Sequence, residues 1–165
     1  MKRFEQLKND GIEHGMCSKF REEWDDPSVD DVCSYFFRGM DFCIENNWPS
    51  VYQIKEALTF EEASSHGIYY ADGKSIGQLQ VCALGDAAVH VFVPAMTTCD
   101  IYARHKSKVH LHIGAGARCY VSMYDSSTVF VDEKGKGAKL RSSYFGGFIM
   151  GAPQFDIIHD KTKEK

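Results

Sequence analysis

The sequence predicts an α+β chain, with a small N-terminal helical bundle acting as a cap and a short β-solenoid (β-helix) of coil period about 20 residues behind it. Three observations carry this reading. From Leu79 to about Leu140, apolar residues fall into columns when the chain is written in rows of twenty: Leu79, Cys99, Cys119; Val81, Ile101, Val121; Ala83, Ala103, Met123; Val89, Val109, Val129; Val91, Leu111, Val131; and Val93 with Ile113. Within each row these positions alternate with polar or aromatic ones, the period of a strand with one buried face. Before residue 66, by contrast, apolar residues recur at three- to five-residue steps, the period of helices.

Between Arg3 and Trp24 the apolar positions are Phe4, Leu7, Ile12, Met16, Phe20 and Trp24, with Gly11 and Gly15 weakening the middle, so one bent helix or two are expected. Asp25-Asp26-Pro27 ends this stretch. A second helix opens at Pro27 or Ser28, with Asp30 and Asp31 in its first turn where the helix dipole favours acids. Its stripe of Val29, Val32, Cys33, Phe36, Met40, Cys43 and Ile44 faces a core, and Asn46-Asn47-Trp48-Pro49 stops it. Ser50 and Gln53 form a capping box for a short third helix through Leu58. Residues 1–66 are therefore the helical cap, expected to cover the open end of the first coil.

Residues 67–78 read as a joint, a small hairpin or extended cap around Asp72-Gly73. The solenoid is expected over 79–158. Its corners are Leu84-Gly85-Asp86-Ala87, Arg104-His105-Lys106-Ser107 and Tyr124-Asp125-Ser126-Ser127 on one side. Gly114-Ala115-Gly116-Ala117 and Gly135-Lys136-Gly137-Ala138 occupy matching corners on the other. After Val131 the alternation loosens. Phe145–Gly151 reads as a last strand pair, Asp156–His159 as the closing segment, and 159–165 as a frayed tail.

Charge narrows the classes of function. Residues 1–66 carry 7 Lys and Arg against 14 Asp and Glu, and residues 67–165 carry 12 against 9. Neither part has the basic density of a nucleic-acid module. The third helix offers Lys55 alone as a base against Glu56, Glu61 and Glu62, so DNA binding by the bundle is not expected. No apolar run approaches the roughly 18 residues that span a bilayer, and Met1-Lys2-Arg3-Phe4-Glu5 opens without a secretory signal pattern. The six cysteines form no CxxC pair and read as buried free thiols, although Cys99 and Cys119 share a column and are the one pair placed for a bridge. A cytoplasmic location follows as an expectation.

Chemistry concentrates in histidine. With the valine columns inward, His90, His110 and His112 point outward, and His90 and His110 sit on adjacent coils. Phe92 and Phe130 take the remaining places of those columns, making a mixed aromatic and imidazole strip with Asp132 as its nearest carboxylate. Two uses compete. The strip is a contact surface for a protein partner or another copy of the chain, or the three imidazoles bind a zinc- or nickel-type ion with water as fourth ligand. Carboxylate catalysis of the glycosidase kind needs two converging acids. Asp100, Asp125 and Asp132 lie on different strands or corners. There is no GxSxG, and the glycine-rich pieces are explained as corners. Arg104, Lys106, Lys108 and Arg118 form a local basic group that can meet an acidic surface, such as the helical part of a second copy.

The rows Val89-His90-Val91-Phe92-Val93, Val109-His110-Leu111-His112-Ile113 and Thr128-Val129-Phe130-Val131, each followed by a small-residue or glycine corner, resemble the β-helical adhesin-like modules of the autotransporter-head type. The helical part, with Arg38-Gly39-Met40-Asp41-Phe42-Cys43 and Trp48-Pro49-Ser50, is similar to uncharacterised bacterial proteins that join such helices to a β-helix. This resemblance implies a fold and no catalytic residue. The expected function is that of a non-enzymatic cytoplasmic binding or assembly module presenting a rigid β-helix face. His90, Phe92, His110, His112 and Phe130 are its partner-binding residues, with no cofactor, no nucleic-acid partner and no membrane. The alternative is a metal-binding protein using His90, His110 and His112.

Overall fold

The computed structural model describes residues 2–151 and the backbone of 157–160. The chain divides into two compact units, Met1–His66 and Gly67–Lys165.

The first unit is helical: α1 Glu5–Glu13, α2 Ser18–Glu23, α3 Val29–Arg38, α4 Met40–Asn46, α5 Val51–Ala57 and α6 Phe60–Ser65. The stretch before Asp25 resolves into two helices. The stripe after Ser28 also breaks, at Gly39, where φ −101° and ψ 21° leave the helical region. A residue with no side chain and low helix propensity lets the backbone turn there. The Ser50/Gln53 box exists, with the Gln53 amide donating to Ser50 Oγ at 3.2 Å and the Ser50 amide to Gln53 Oε1 at 2.8 Å. Helix α6 lies within the 1–66 cap, after the three stretches that the sequence marks as helical. Its signal is Thr59-Phe60-Glu61-Glu62, a further capping box after those of Ser28/Asp31 and Ser50/Gln53. Phe4, Leu7, Trp24, Val32, Phe36, Met40, Trp48 and Ile54 are buried together, and Trp24 faces Trp48 at 6.2 Å between ring centroids.

The second unit is a parallel β-solenoid of about four turns. Its strands are β1 Ile68–Tyr69, β2 Gly73–Ile76, β3 Gln80–Ala83, β4 Ala88–Val93, β5 Thr98–Ala103, β6 Lys108–Ile113, β7 Arg118–Lys134, β8 Lys139–Gly151 and β9 Ile157–Asp160. One face stacks β1, β3, β5 and the first half of β7, and the other stacks β2, β4, β6 and its second half. The twenty-residue columns are the observed registers, Val81↔Ile101↔Val121 and Val89↔Val109↔Val129 among them. These side chains are almost wholly buried. Residues 67–78 are not a hairpin: β1 pairs in parallel with β3 and β2 with β4, so the joint is the first coil.

Three further positions differ from the sequence reading. Leu79, first of its column, is 62% exposed. It precedes β3, and the two residues of β1 register only with Cys82 and Ala83, leaving no strand residue beneath it. Arg104, counted with a surface basic group, is 2% exposed and so leaves that group. Phe145–Gly151 is not a strand pair but the second half of β8, paired with β7. Strand β9 runs to Asp160 against β8, and the tail expected at its end lies, from residue 161 on, outside the described residues.

The period is interrupted once beside the histidine strip. Leu111 registers with Val131 but His112 with Glu133, which makes Asp132 an extra residue bulged out of β7. The spacing of twenty-one then runs through the glycine corner as far as Asp125↔Gly146 and returns to twenty at Thr128↔Phe148. A Cβ on Gly135 would lie 2.4 Å from the Ala115 nitrogen, so only glycine lets the two coils approach this closely there.

Candidate functional site

The inward columns of β4, β6 and β7 fix what their outward neighbours do. Because Val89, Val91 and Val93 are buried, His90 and Phe92 must face out, and the same holds for His110, His112 and Phe130 on the next two coils. In-register parallel pairing sets adjacent coils about 4.8 Å apart, close to the stacking distance of flat rings. His90 stacks on His110 at 4.6 Å, His110 on Phe130 at 4.8 Å and Phe92 on His112 at 4.3 Å between centroids. All five strip residues are therefore brought together in one patch. Lys74 Nζ, one coil earlier, lies 4.8 Å from the Phe92 ring centre.

The same face carries more apolar surface than the sequence reading included. Ile76 registers with Phe92, Phe148 with Thr128 and Met150 with Phe130, so all three continue the outer columns. They are 66%, 71% and 49% exposed. The sequence pattern puts Ile76 in the joint and Phe148 and Met150 in the last strand pair. Their registers become visible once β2 and β8 are recognised as coils.

Polar atoms converge at the centre of the face. His90 Nδ1 lies 3.4 Å from His112 Nε2, and Asp132 Oδ2 is 3.6 Å from that same Nε2. His90, His112 and Asp132 present three potential metal-ligand atoms within 4.8 Å of one another. His110 takes another part: its Nδ1 is 3.1 Å from Asp132 Oδ2. Glu133 Oε2 sits 3.8 Å from His112 Nδ1, a nitrogen that is buried and has no hydrogen-bond partner among the described residues. The bulge thus places two successive carboxylates against the two nitrogens of one imidazole. Sequence reasoning missed Glu133. The signal was present in the mismatch between Val109/Val129, twenty apart, and Gly114/Gly135, twenty-one apart, which requires one extra residue between Val131 and Gly135.

Among the described residues no helix is long and apolar enough to cross a membrane. The fold and this face define a parallel β-solenoid module with a ring-stacked outer sheet. Comparison with known proteins finds no matching family model, no matching curated protein and no matching solved structure.

Proposed function

We propose that the protein is a non-catalytic, cytoplasmic assembly module that pairs with a second copy of itself through the outer face of β2, β4, β6, β7 and β8. The observation that carries this reading is the exposure of Ile76, Phe148 and Met150 on the face that also holds Phe92 and Phe130. Exposed apolar side chains gathered in one patch mark a contact. Charge supports a second copy as the occupant. Lys74 lies on the first coil and Asp132 and Glu133 on the fourth, so a two-fold axis lying in the contact plane along the strand direction brings the two faces together, reverses the coil order and sets opposite charges against each other. Six free thiols suit a reducing compartment.

Sedimentation in buffer containing EDTA tests the contact without metal. The parent is expected at about twice the 18.6 kDa of the chain. Burying each large apolar side chain contributes roughly 1.5–3 kcal/mol, so Phe148→Ser with Met150→Ser is expected to shift the dimer strongly to monomer. A parent that stays monomeric into the high micromolar range, or a double variant that dimerises as the parent does, overturns the reading.

A further inference from the structure

The strip holds a feature that ring stacking and apolar contact do not use. Stacking requires the flat faces of the imidazoles, yet here nitrogen edges from two coils and a carboxylate point at one spot. His90 and His112 are not register partners: they sit diagonally, 5.7 Å apart between centroids, and meet through Nδ1 and Nε2 at 3.4 Å. Asp132 Oδ2 approaches the same Nε2 to 3.6 Å. Three electron-rich atoms so placed are stabilised by a cation between them. Two of the three spacings, 3.4 and 3.6 Å, have the right size, and the third pair of atoms lies within 4.8 Å. With metal–nitrogen and metal–oxygen bonds of about 2.0–2.2 Å, a tetrahedral site has ligand–ligand edges of about 3.3–3.6 Å.

We propose that His90 Nδ1, His112 Nε2 and Asp132 Oδ2 hold one divalent transition-metal ion of the zinc type, with His110 positioning the carboxylate and Glu133 orienting His112. Two imidazoles and one carboxylate favour zinc, nickel or cobalt over magnesium or calcium, which take oxygen ligands. To offer a lone pair from Nε2, His112 must carry its proton on Nδ1, and that nitrogen faces Glu133 Oε2 at 3.8 Å. A ligating histidine commonly gives its second N–H to a carboxylate, and Glu133 is the carboxylate placed to take it once a small side-chain shift closes the gap. His110 Nδ1, 3.1 Å from Asp132 Oδ2, is the hydrogen-bond partner that holds the ligating carboxylate. This revises the set of three histidines: His110 stands behind the ligands, and the bulged Asp132 takes its place. In the unpaired chain His90 is exposed, which leaves a coordination position open there.

The site lies within one chain and does not depend on self-association, and its test keeps the two apart. Calorimetric titration of the metal-stripped protein with Zn²⁺ is expected to give one ion per chain, in the parent and equally in the Phe148→Ser, Met150→Ser variant. Co²⁺ is expected to produce visible absorption bands of a low-coordinate site. His112→Ala and Asp132→Ala are expected to lose the ion, while Glu133→Gln keeps the stoichiometry and lowers affinity by about 10–100-fold. Far-UV circular dichroism of each variant establishes that the coils are intact; Asp132 and Glu133 are exposed, so their replacement leaves the core untouched. Three results overturn the proposal: no saturable Zn²⁺ binding by the folded parent, stoichiometric binding retained in both His112→Ala and Asp132→Ala, or loss of the ion in the Phe148→Ser, Met150→Ser variant.

Discussion

His105 shows how one side chain sustains a corner. Its φ of 58° is left-handed, as are those of Gly85 and Asp125 at the matching corners before and after it. The Gly85 amide donates to His105 Nδ1 at 3.0 Å, and the His105 amide donates to Asp125 Oδ2 at 2.9 Å. Side chains thereby bind the corners of successive coils. An Nδ1 that accepts cannot also carry a proton. Burial, with Arg104 adding to it against Asp125, holds the imidazole below its ordinary value. The unfolded chain takes up this proton near pH 6.5 while the folded one resists, so stability is full above that pH and is lost as pH falls below it. His105→Asn keeps an acceptor and tolerates positive φ. Thermal melts between pH 8 and 5 are expected to show a smaller acid loss for this variant than for the parent. Equal slopes for the two would show that His105 has no such role. Gly11 shows the opposite relation between sequence and environment. Its helix propensity marks it as a weakness, yet a Cβ there would lie 2.6 Å from the Trp48 ring, so the buried position requires glycine.

At the scale of elements, the alternation of apolar and outward residues determined strand direction and register from Val81 to Val131. Leu111 sits in the middle of its column, 0% exposed, between Val91 and Val131. Leu111→Asp places an unpaired carboxylate between two apolar coils at a cost of several kcal/mol, a large part of the stability of a domain this size. Its circular dichroism is expected to show a melting temperature lowered by many degrees, or no folded solenoid at all. A variant that melts with the parent would contradict the packing. The elements that escaped the pattern are those with few buried residues of their own. Strand β1 has only two residues, and α6 only six, with Ala63 alone buried. Neither is long enough to display a period, and only the Thr59 capping box announced the helix.

At the scale of the whole molecule, each unit closes its own core around thiols. Cys17 is exposed, while Cys33, Cys43, Cys82, Cys99 and Cys119 are buried. Burial pushes the Cys33, Cys99 and Cys119 thiols up to about 12. Cys99 and Cys119 register as neighbours, but Cys99 Sγ donates to the Gln78 carbonyl at 3.3 Å. Since the thiolate is the reactive form, the native protein is expected to give one rapid equivalent with a disulfide reagent, from Cys17, and six after unfolding without reductant. Four after unfolding would reveal a Cys99–Cys119 bridge, and several fast equivalents would mean an open core. The sequence by itself determined the α+β order, the twenty-residue coil and the outward placing of His90, Phe92, His110, His112 and Phe130, because strand period and column identity are local and repeat. The mismatch in spacing already called for one extra residue after Val131; only the tertiary structure decided that it is Asp132, that Glu133 meets His112, and that Ile76, Phe148 and Met150 extend the same face. Those facts depend on which coil lies beside which, and a single-residue slip between coils changes every neighbour without changing the local pattern.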